Sequence, residues 1–153
     1  MFNDQQRQNY EDNAIEVVKD VYSNIAGDRT ITYTIPDDIY SHWDMTATID
    51  GVEYKVENKC RPNYHYYDFD AYYIDANKGD LDLFNMIFPK DGVVAVTTQK
   101  ILKEFTPEEC KIKRLVYCDN ESPEGTIQNY VIPRNRWWIY QLKPFKIISK
   151  PTK

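Results

Sequence analysis

Apolar residues between positions 4 and 25 recur at the spacing of an amphipathic helix. Projected at about 100° per residue, they form one stripe: Ala14, Ile15, Val18, Val21, Tyr22 and Ile25. Gly27 follows the stripe and is a typical helix stop. Glu11 projects onto the middle of this stripe, whereas Glu16 and Asp20 project to the opposite side and are expected in solvent. A carboxylate on a core-facing stripe is costly unless it is paired. Either Glu11 has a partner, or the helix frays there and Glu11 never reaches the core.

The next segments alternate between apolar and polar residues, as strands do. "RTITYTI" predicts a strand, Pro36-Asp37-Asp38 predicts a turn, and residues 42 to 59 predict a hairpin that completes a three-stranded meander. A short extended segment is expected at 72–76. The spacing of apolar residues then predicts a helix at 78–88 that ends at Pro89. Further strands are expected at 93–98, 111–118, 126–132 and 137–142, and residues 145–148 are left open.

The dipeptide Asp50-Gly51 fixes the register of the predicted hairpin. Between two alternating runs it favours a two-residue turn with positive φ at its centre. The numbers of facing residues then sum to 101, so Asp44 lies opposite Glu57 and His42 lies opposite Lys59. Alternation gives each strand two faces. The core face carries Trp43, Met45, Ala47, Ile49, Val52, Tyr54 and Val56, and the other face carries His42, Asp44, Thr46, Lys55, Glu57 and Lys59.

Two carboxylates that face each other across a sheet repel by up to about 1 kcal/mol unless a cation lies between them. Lys55 and Lys59 could supply that cation on an ordinary solvated face. A bound metal ion is the alternative, and the hairpin alone does not decide between the two.

Length and composition predict one domain, residues 1–153, with 42% hydrophobic and 28% charged residues. No apolar run is long enough to span a bilayer and no signal peptide is recognisable, so we expect a soluble, cytoplasmic protein without membrane partners. The three cysteines form no C-x-x-C pair, which favours a reducing compartment.

Charge is distributed unevenly along the chain. Residues 1–96 carry 8 Lys and Arg against 18 Asp and Glu, and residues 97–153 carry 11 against 6. From Gly125 onwards there are six basic residues and no acid, with Trp137, Trp138, Tyr140 and Phe145 interleaved, a mixture that suits a phosphate backbone. The alternative is a basic surface that merely aids solubility.

Tyrosines are also clustered, and they either stack on unpaired bases or pack over the sheet: Tyr64, Tyr66, Tyr67, Tyr72 and Tyr73.

An acidic residue on one strand, a turn, and Glu-x-Lys on the next strand occur together in "WDMTATIDGVEYKVENK". This segment resembles the PD-(D/E)XK nuclease superfamily, and the resemblance extends over about residues 9–88. It implies an α+β fold of the restriction-endonuclease type, a mixed β-sheet flanked by helices. It also suggests a small member of phage or mobile-element type. Trp43 stands where that family often has proline.

The resemblance further implies roles for individual residues. Asp44 and Glu57 would be metal-binding carboxylates, Lys59 would orient the attacking water or stabilise charge, Glu11 would add a third acid, and Lys78 would be a further catalytic lysine. Carboxylates of this kind suit Mg²⁺, or Mn²⁺ in its place. The expected activity is metal-dependent hydrolysis of phosphodiester bonds, in DNA rather than RNA. The candidate nucleic-acid contacts are basic residues: Arg61, Arg134, Arg136, Lys143 and Lys146.

Two other classes of function stay open. One is a catalytically silent nuclease-fold protein that binds or inhibits a protein or nucleic-acid partner, supported by the acidic excess before residue 97. The other is a structural domain in which Asp44, Glu57 and Lys59 form an ion network. A homodimer is an alternative to a monomer in each case.

Overall fold

A computed structural model describes residues 4–38, 40–113 and 124–152, with the side chains of 4–12, 110–113 and 124–126 left aside. Within these residues the chain forms two α-helices and ten strands, so the expected α+β class is confirmed. The elements in chain order are α1 (Asp4–Ala26), β1 (Ile31–Thr34), β2 (Met45–Ile49), β3 (Val52–Cys60), β4 (Ala71–Asp75), β5 (Leu83–Phe88), β6 (Val93–Thr98), α2 (Gln99–Leu102), β7 (Glu108–Lys113), β8 (Glu124–Pro133), β9 (Trp138–Leu142) and β10 (Phe145–Ser149).

The strands form two sheets. The larger has seven strands in the order β1-β2-β3-β5-β6-β9-β10, and the smaller has the order β4-β8-β7. β3 and β5 are parallel, and every other neighbouring pair in the large sheet is antiparallel. The large sheet is therefore mixed, as expected. No helix of the described segments is long and apolar enough to cross a membrane.

Each face of the large sheet is covered by a different layer. Helix α1 packs Val18 and Val21 against Met45 and Val56 of the hairpin on one face. The opposite face packs residues such as Phe84 against the small sheet and α2, with a core that includes Phe88, Leu102, Ile132 and Trp137. The second face is thus covered mainly by strands, where the sequence predicted a helix.

The hairpin has the predicted register. Asp50 has φ 49° and Gly51 has φ 83°, and the ladder pairs Met45 with Val56 through to Ile49 with Val52. Gly51 adopts this conformation without strain because it has no Cβ. The regular ladder begins at Met45, however, and residues 42–44 form a bend. Trp43 therefore does not continue the alternation, and it packs on the core beneath the small sheet instead of beside Met45.

The predicted helix at 78–88 is wrong. Residues 83–88 form β5, and the residues before them form a 3₁₀ turn at Ala76–Lys78. β5 lies between β3 and β6, and every residue from Phe84 to Phe88 is buried. A strand covered on both faces loses the alternation that identifies strands, so its apolar run can match helical spacing by chance.

The remaining predicted elements are close to those observed. α1, β1, β6 and β9 have nearly the predicted bounds, and the open segment 145–148 lies in β10. β4 covers most of the extended segment 72–76. β7 begins at Glu108, three residues before the predicted start, and the rest of the predicted strand, 114–118, lies outside the described residues.

Candidate active site

Asp44 and Glu57 lie side by side at the open end of the hairpin. The backbone N–H of Asp44 donates to the Val56 carbonyl at 2.9 Å, and the N–H of Asn58 donates to Asp44 Oδ2 at 2.7 Å. The two carboxyl groups are hydrogen-bonded to each other. Only 12% of the Glu57 side chain is exposed. The structure thus brings the two predicted acids together in a largely buried position.

Burial changes the protonation of this pair. It raises the pKa of Glu57 to about 8, an effect increased by the charge of Asp44 and opposed by Lys78 and Lys59. Burial also raises the pKa of Asp44, against the stabilising hydrogen bond from Asn58 and the charge of Lys78. Near neutral pH the acidic pair therefore retains a proton.

Two lysines approach the acidic pair. Lys78 Nζ lies 3.6 Å from Glu57 Oε1 and donates to the backbone carbonyl of His42 at 2.6 Å. Lys59 lies on the same face of β3 as Glu57, and its Nζ is 3.9 Å from Asp75 Oδ1. Lys78 is in the 3₁₀ turn, whereas the sequence placed it on a helix. From this turn the Lys78 ammonium group still lies close to Glu57.

Lys55 and His42 make contacts other than those predicted. Lys55 Nζ lies 4.3 Å from the centre of the Trp43 ring, so this cation is directed to an aromatic face. His42 Nε2 is 2.8 Å from Asp80 Oδ1, and His42 does not face Lys59 as the extended register predicted. The bend at residues 42–44 accounts for this difference. Among the described lysines, Lys78 and Lys59 act on the acidic pair.

A chain of side-chain hydrogen bonds that the sequence did not predict lies behind the site. The Tyr22 hydroxyl of α1 donates to Asn85 Oδ1 at 3.0 Å, and Asn85 Nδ2 donates to Asn58 Oδ1 at 2.8 Å. Asn58 in turn holds Asp44 through its backbone N–H. A polar Asn85 within the apolar run "LFNMIF" was the available signal. The network connects α1 through the sheet to the acidic pair.

Asp75 is a second residue that the sequence did not single out. It ends β4 and contacts Lys59, so the small sheet contributes a carboxylate near the hairpin. Glu11 lies in α1, but its side chain is outside the described residues. Among the described side chains, no group of three or more His, Cys, Asp or Glu is arranged to hold a metal ion. Asp44 and Glu57 still fit Mg²⁺, which proteins commonly bind through one or two carboxylates together with substrate phosphates.

The predicted nucleic-acid contacts are spread over the surface. Arg136 is 15% exposed and forms a two-point ion pair with Glu104, at 2.8 and 3.4 Å. Arg134 Nη1 donates to the Phe69 carbonyl at 2.7 Å. A phosphate contact by Arg136 would require breaking its ion pair.

The other three predicted contacts are differently placed. Lys143 and Lys146 are exposed around the β9–β10 turn. β10 is four strands from β3, a lateral separation of roughly 19 Å. Arg61 follows β3 directly and lines a groove next to the small cavity of Glu57 and Lys59. Arg61 is thus the predicted contact nearest to the candidate site in the strand order.

No family model and no curated protein sequence matches the chain. Among solved structures, the chain is similar to a bacterial homing endonuclease, I-Ssp6803I, with 12% sequence identity and a TM-score of 0.45. The match covers 82% of this chain and 83% of that chain.

Proposed function

We propose that the chain is a metal-dependent nuclease that hydrolyses phosphodiester bonds in DNA. The observation that carries the proposal is the buried contact between Asp44 and Glu57, with Lys59 two residues further along the same face. An acidic pair with a neighbouring lysine is the group expected from the Glu-x-Lys resemblance. The preference for DNA over RNA rests on that resemblance.

Asp44 and Glu57 would hold Mg²⁺, or Mn²⁺ in its place. The ion would polarise the scissile phosphate and favour formation of a hydroxide nucleophile from water. The hydrogen bond from Asn58 to Asp44 Oδ2 would hold this carboxylate in place. Burial of both acids keeps the site at a low effective dielectric, which strengthens every charge interaction within it.

The two lysines would act on the phosphate rather than on the ion. An ammonium group donates hydrogen bonds and cannot serve as a metal ligand, so Lys59 and Lys78 suit the negative charge that develops on phosphate oxygens. Asp75 lies 3.9 Å from Lys59 and would limit the directions that its ammonium group can take. Lys143 and Lys146 would contact flanking phosphates, away from the reacting bond.

A catalytically silent binding protein is the second candidate. Lys78 lies 3.6 Å from Glu57 and partly neutralises the acidic pair without any ion. In that case the site would be an internal ion network, and the protein would act by binding alone.

Cleavage of plasmid DNA separates these candidates. We expect wild type to nick the plasmid with Mg²⁺ or Mn²⁺ and not with EDTA, and Glu57→Gln to be inactive because it loses a carboxylate ligand. Glu53→Gln is the matched control, since Glu53 is exposed on the same strand near the turn. Absence of cleavage by wild type, or equal cleavage by Glu57→Gln, would favour the silent binding protein.

A further inference from the structure

A groove of about 560 Å³ lies next to the small cavity that Glu57 and Lys59 line. Its walls are formed by residues after β3 and by the start of β4, and they include Arg61, Tyr64, Asp68, Phe69, Asp70 and Tyr73. Tyr73 and Met86 line this groove and also the small cavity that contains Glu57 and Lys59. The groove therefore adjoins the cavity at Glu57 and Lys59, and its volume is within the range of small-ligand sites, about 300–1000 Å³.

Aromatic rings line the groove at the surface. Tyr64 is 47% exposed, Tyr73 is 43% exposed and Phe69 is 37% exposed. Tyr64 and Phe69 meet edge to face with 5.0 Å between ring centres. Tyr72, in contrast, is buried and belongs to the core. The tyrosine cluster thus divides into rings that pack over the sheet and rings that are available to a ligand.

The charges of the groove suit a nucleobase better than a phosphate. Two acidic residues, Asp68 and Asp70, and one arginine, Arg61, line it, and Asp68 Oδ2 also accepts from the backbone N–H of His65 at 2.7 Å. Their net charge is negative, which disfavours a phosphate group. Carboxylates accept hydrogen bonds from the exocyclic amines of bases, and guanidinium donates to base carbonyl and ring-nitrogen acceptors. Aromatic faces, acceptors and a donor in one groove are the groups that bind a base removed from its stack.

We propose that this groove binds an unpaired nucleobase adjacent to the phosphodiester that the site cleaves. The proposal rests on the nuclease function proposed above and deepens it, because it assigns a substrate with single-stranded or locally unpaired nucleotides. The phosphate would lie toward Lys59 and Lys78 while the neighbouring base enters between Tyr64 and Tyr73. A fully paired duplex offers no base to the groove.

Binding without cleavage tests the groove. A labelled single strand of about 12 nucleotides and a blunt duplex of the same sequence are titrated with the full chain in EDTA, and fluorescence anisotropy is recorded. Stacking on one aromatic ring contributes about 5-fold to 150-fold in affinity. We expect Tyr73→Ala and Tyr64→Ala each to weaken single-strand binding within that range and to leave duplex binding unchanged. Tyr73→Phe should bind like wild type because it keeps the ring.

Tyr67→Ala is the matched control, because Tyr67 is an exposed tyrosine of the same segment that does not line the groove. It should bind both probes like wild type. Single-strand binding by Tyr73→Ala and Tyr64→Ala equal to that of wild type would overturn the groove proposal, as would a loss equal to theirs in Tyr67→Ala.

Cleavage of both probes by the same preparations with Mg²⁺ keeps the two proposals apart. If wild type cleaves and the groove variants bind the single strand like wild type, the base-binding proposal is contradicted and the proposed nuclease function is supported. If the groove variants weaken single-strand binding but wild type does not cleave, the proposed nuclease function is contradicted and the groove is supported as a base-binding site. A wild type that binds neither probe would overturn both.

Discussion

Replacing Glu57 by glutamine should stabilise the metal-free protein at alkaline pH. Glu57 is buried against Asp44, and its pKa in the folded chain is raised to about 8 from a usual value of 4.5. Above pH 8 the folded protein therefore holds two neighbouring buried carboxylates. Glutamine has nearly the same shape, keeps a hydrogen-bond donor toward Asp44 and removes one of the two charges.

The direction of the pH effect follows from which state binds the proton more tightly. Between about pH 4.5 and pH 8 the folded state keeps the Glu57 proton while the unfolded state has lost it. The contribution of this group to the free energy of unfolding is therefore largest below pH 4.5, and it decreases as pH rises to 8. The free energy of unfolding decreases by at most about 1.4 kcal/mol per pH unit. The largest decrease expected between about pH 5 and pH 8 is therefore about 4 kcal/mol. Burial raises the pKa of Asp44 as well, which acts in the same direction.

Urea unfolding in EDTA at a series of pH values measures this effect. Wild type should lose stability relative to Glu57→Gln as pH rises from 5 to 8, and Glu53→Gln should follow wild type because Glu53 is exposed near the turn. Parallel pH profiles of the free energy of unfolding for wild type and Glu57→Gln would show that the pKa of Glu57 is not raised by burial. A gain of stability by wild type relative to Glu57→Gln over this range would show the same.

Three further predictions concern the site and its surroundings. Tyr22→Phe should lower the free energy of unfolding by about 1 kcal/mol in urea titrations, because Asn85 loses a buried hydrogen bond; no change would show that the network is unimportant. Lys59→Ala should reduce Mg²⁺-dependent cleavage by about 100-fold or more while Mn²⁺ affinity measured by calorimetry survives, and an equal loss of both would contradict its assigned role. Lys143→Gln with Lys146→Gln should flatten the salt dependence of duplex binding by up to about 1.8 units in the log–log slope, and an unchanged slope would mean that this surface does not contact phosphates.

The hairpin could be predicted because its information is local. Asp50-Gly51 selects a turn whose twist matches the strands, and that turn fixes which residues face each other. The proximity of Asp44 and Glu57 follows from this register. Even here the prediction failed at the end of the ladder, where the bend at residues 42–44 redirects Trp43 and His42.

Other features depend on contacts between distant parts of the chain. β5 is covered on both faces, so its pattern carries no period that would separate a strand from a helix. The contact of Asp75 with Lys59 depends on how the small sheet lies over the large one. The ion pair of Arg136 with Glu104 likewise joins residues 32 positions apart. Charge counts along the sequence cannot separate such a paired arginine from an exposed lysine.

Joint binding of a divalent cation by Asp44 and Glu57 can be measured by Mn²⁺ titration calorimetry near pH 7. Wild type should bind Mn²⁺ and release a proton, because the raised pKa of Glu57 keeps a proton on the acidic pair near pH 7 and the ion displaces it. Proton release is measured by repeating the titration in buffers with different ionisation enthalpies. Glu57→Gln should lose the binding and Glu53→Gln should retain it. Absence of Mn²⁺ binding by wild type, or equal binding by Glu57→Gln, would show that Asp44 and Glu57 do not form a metal site.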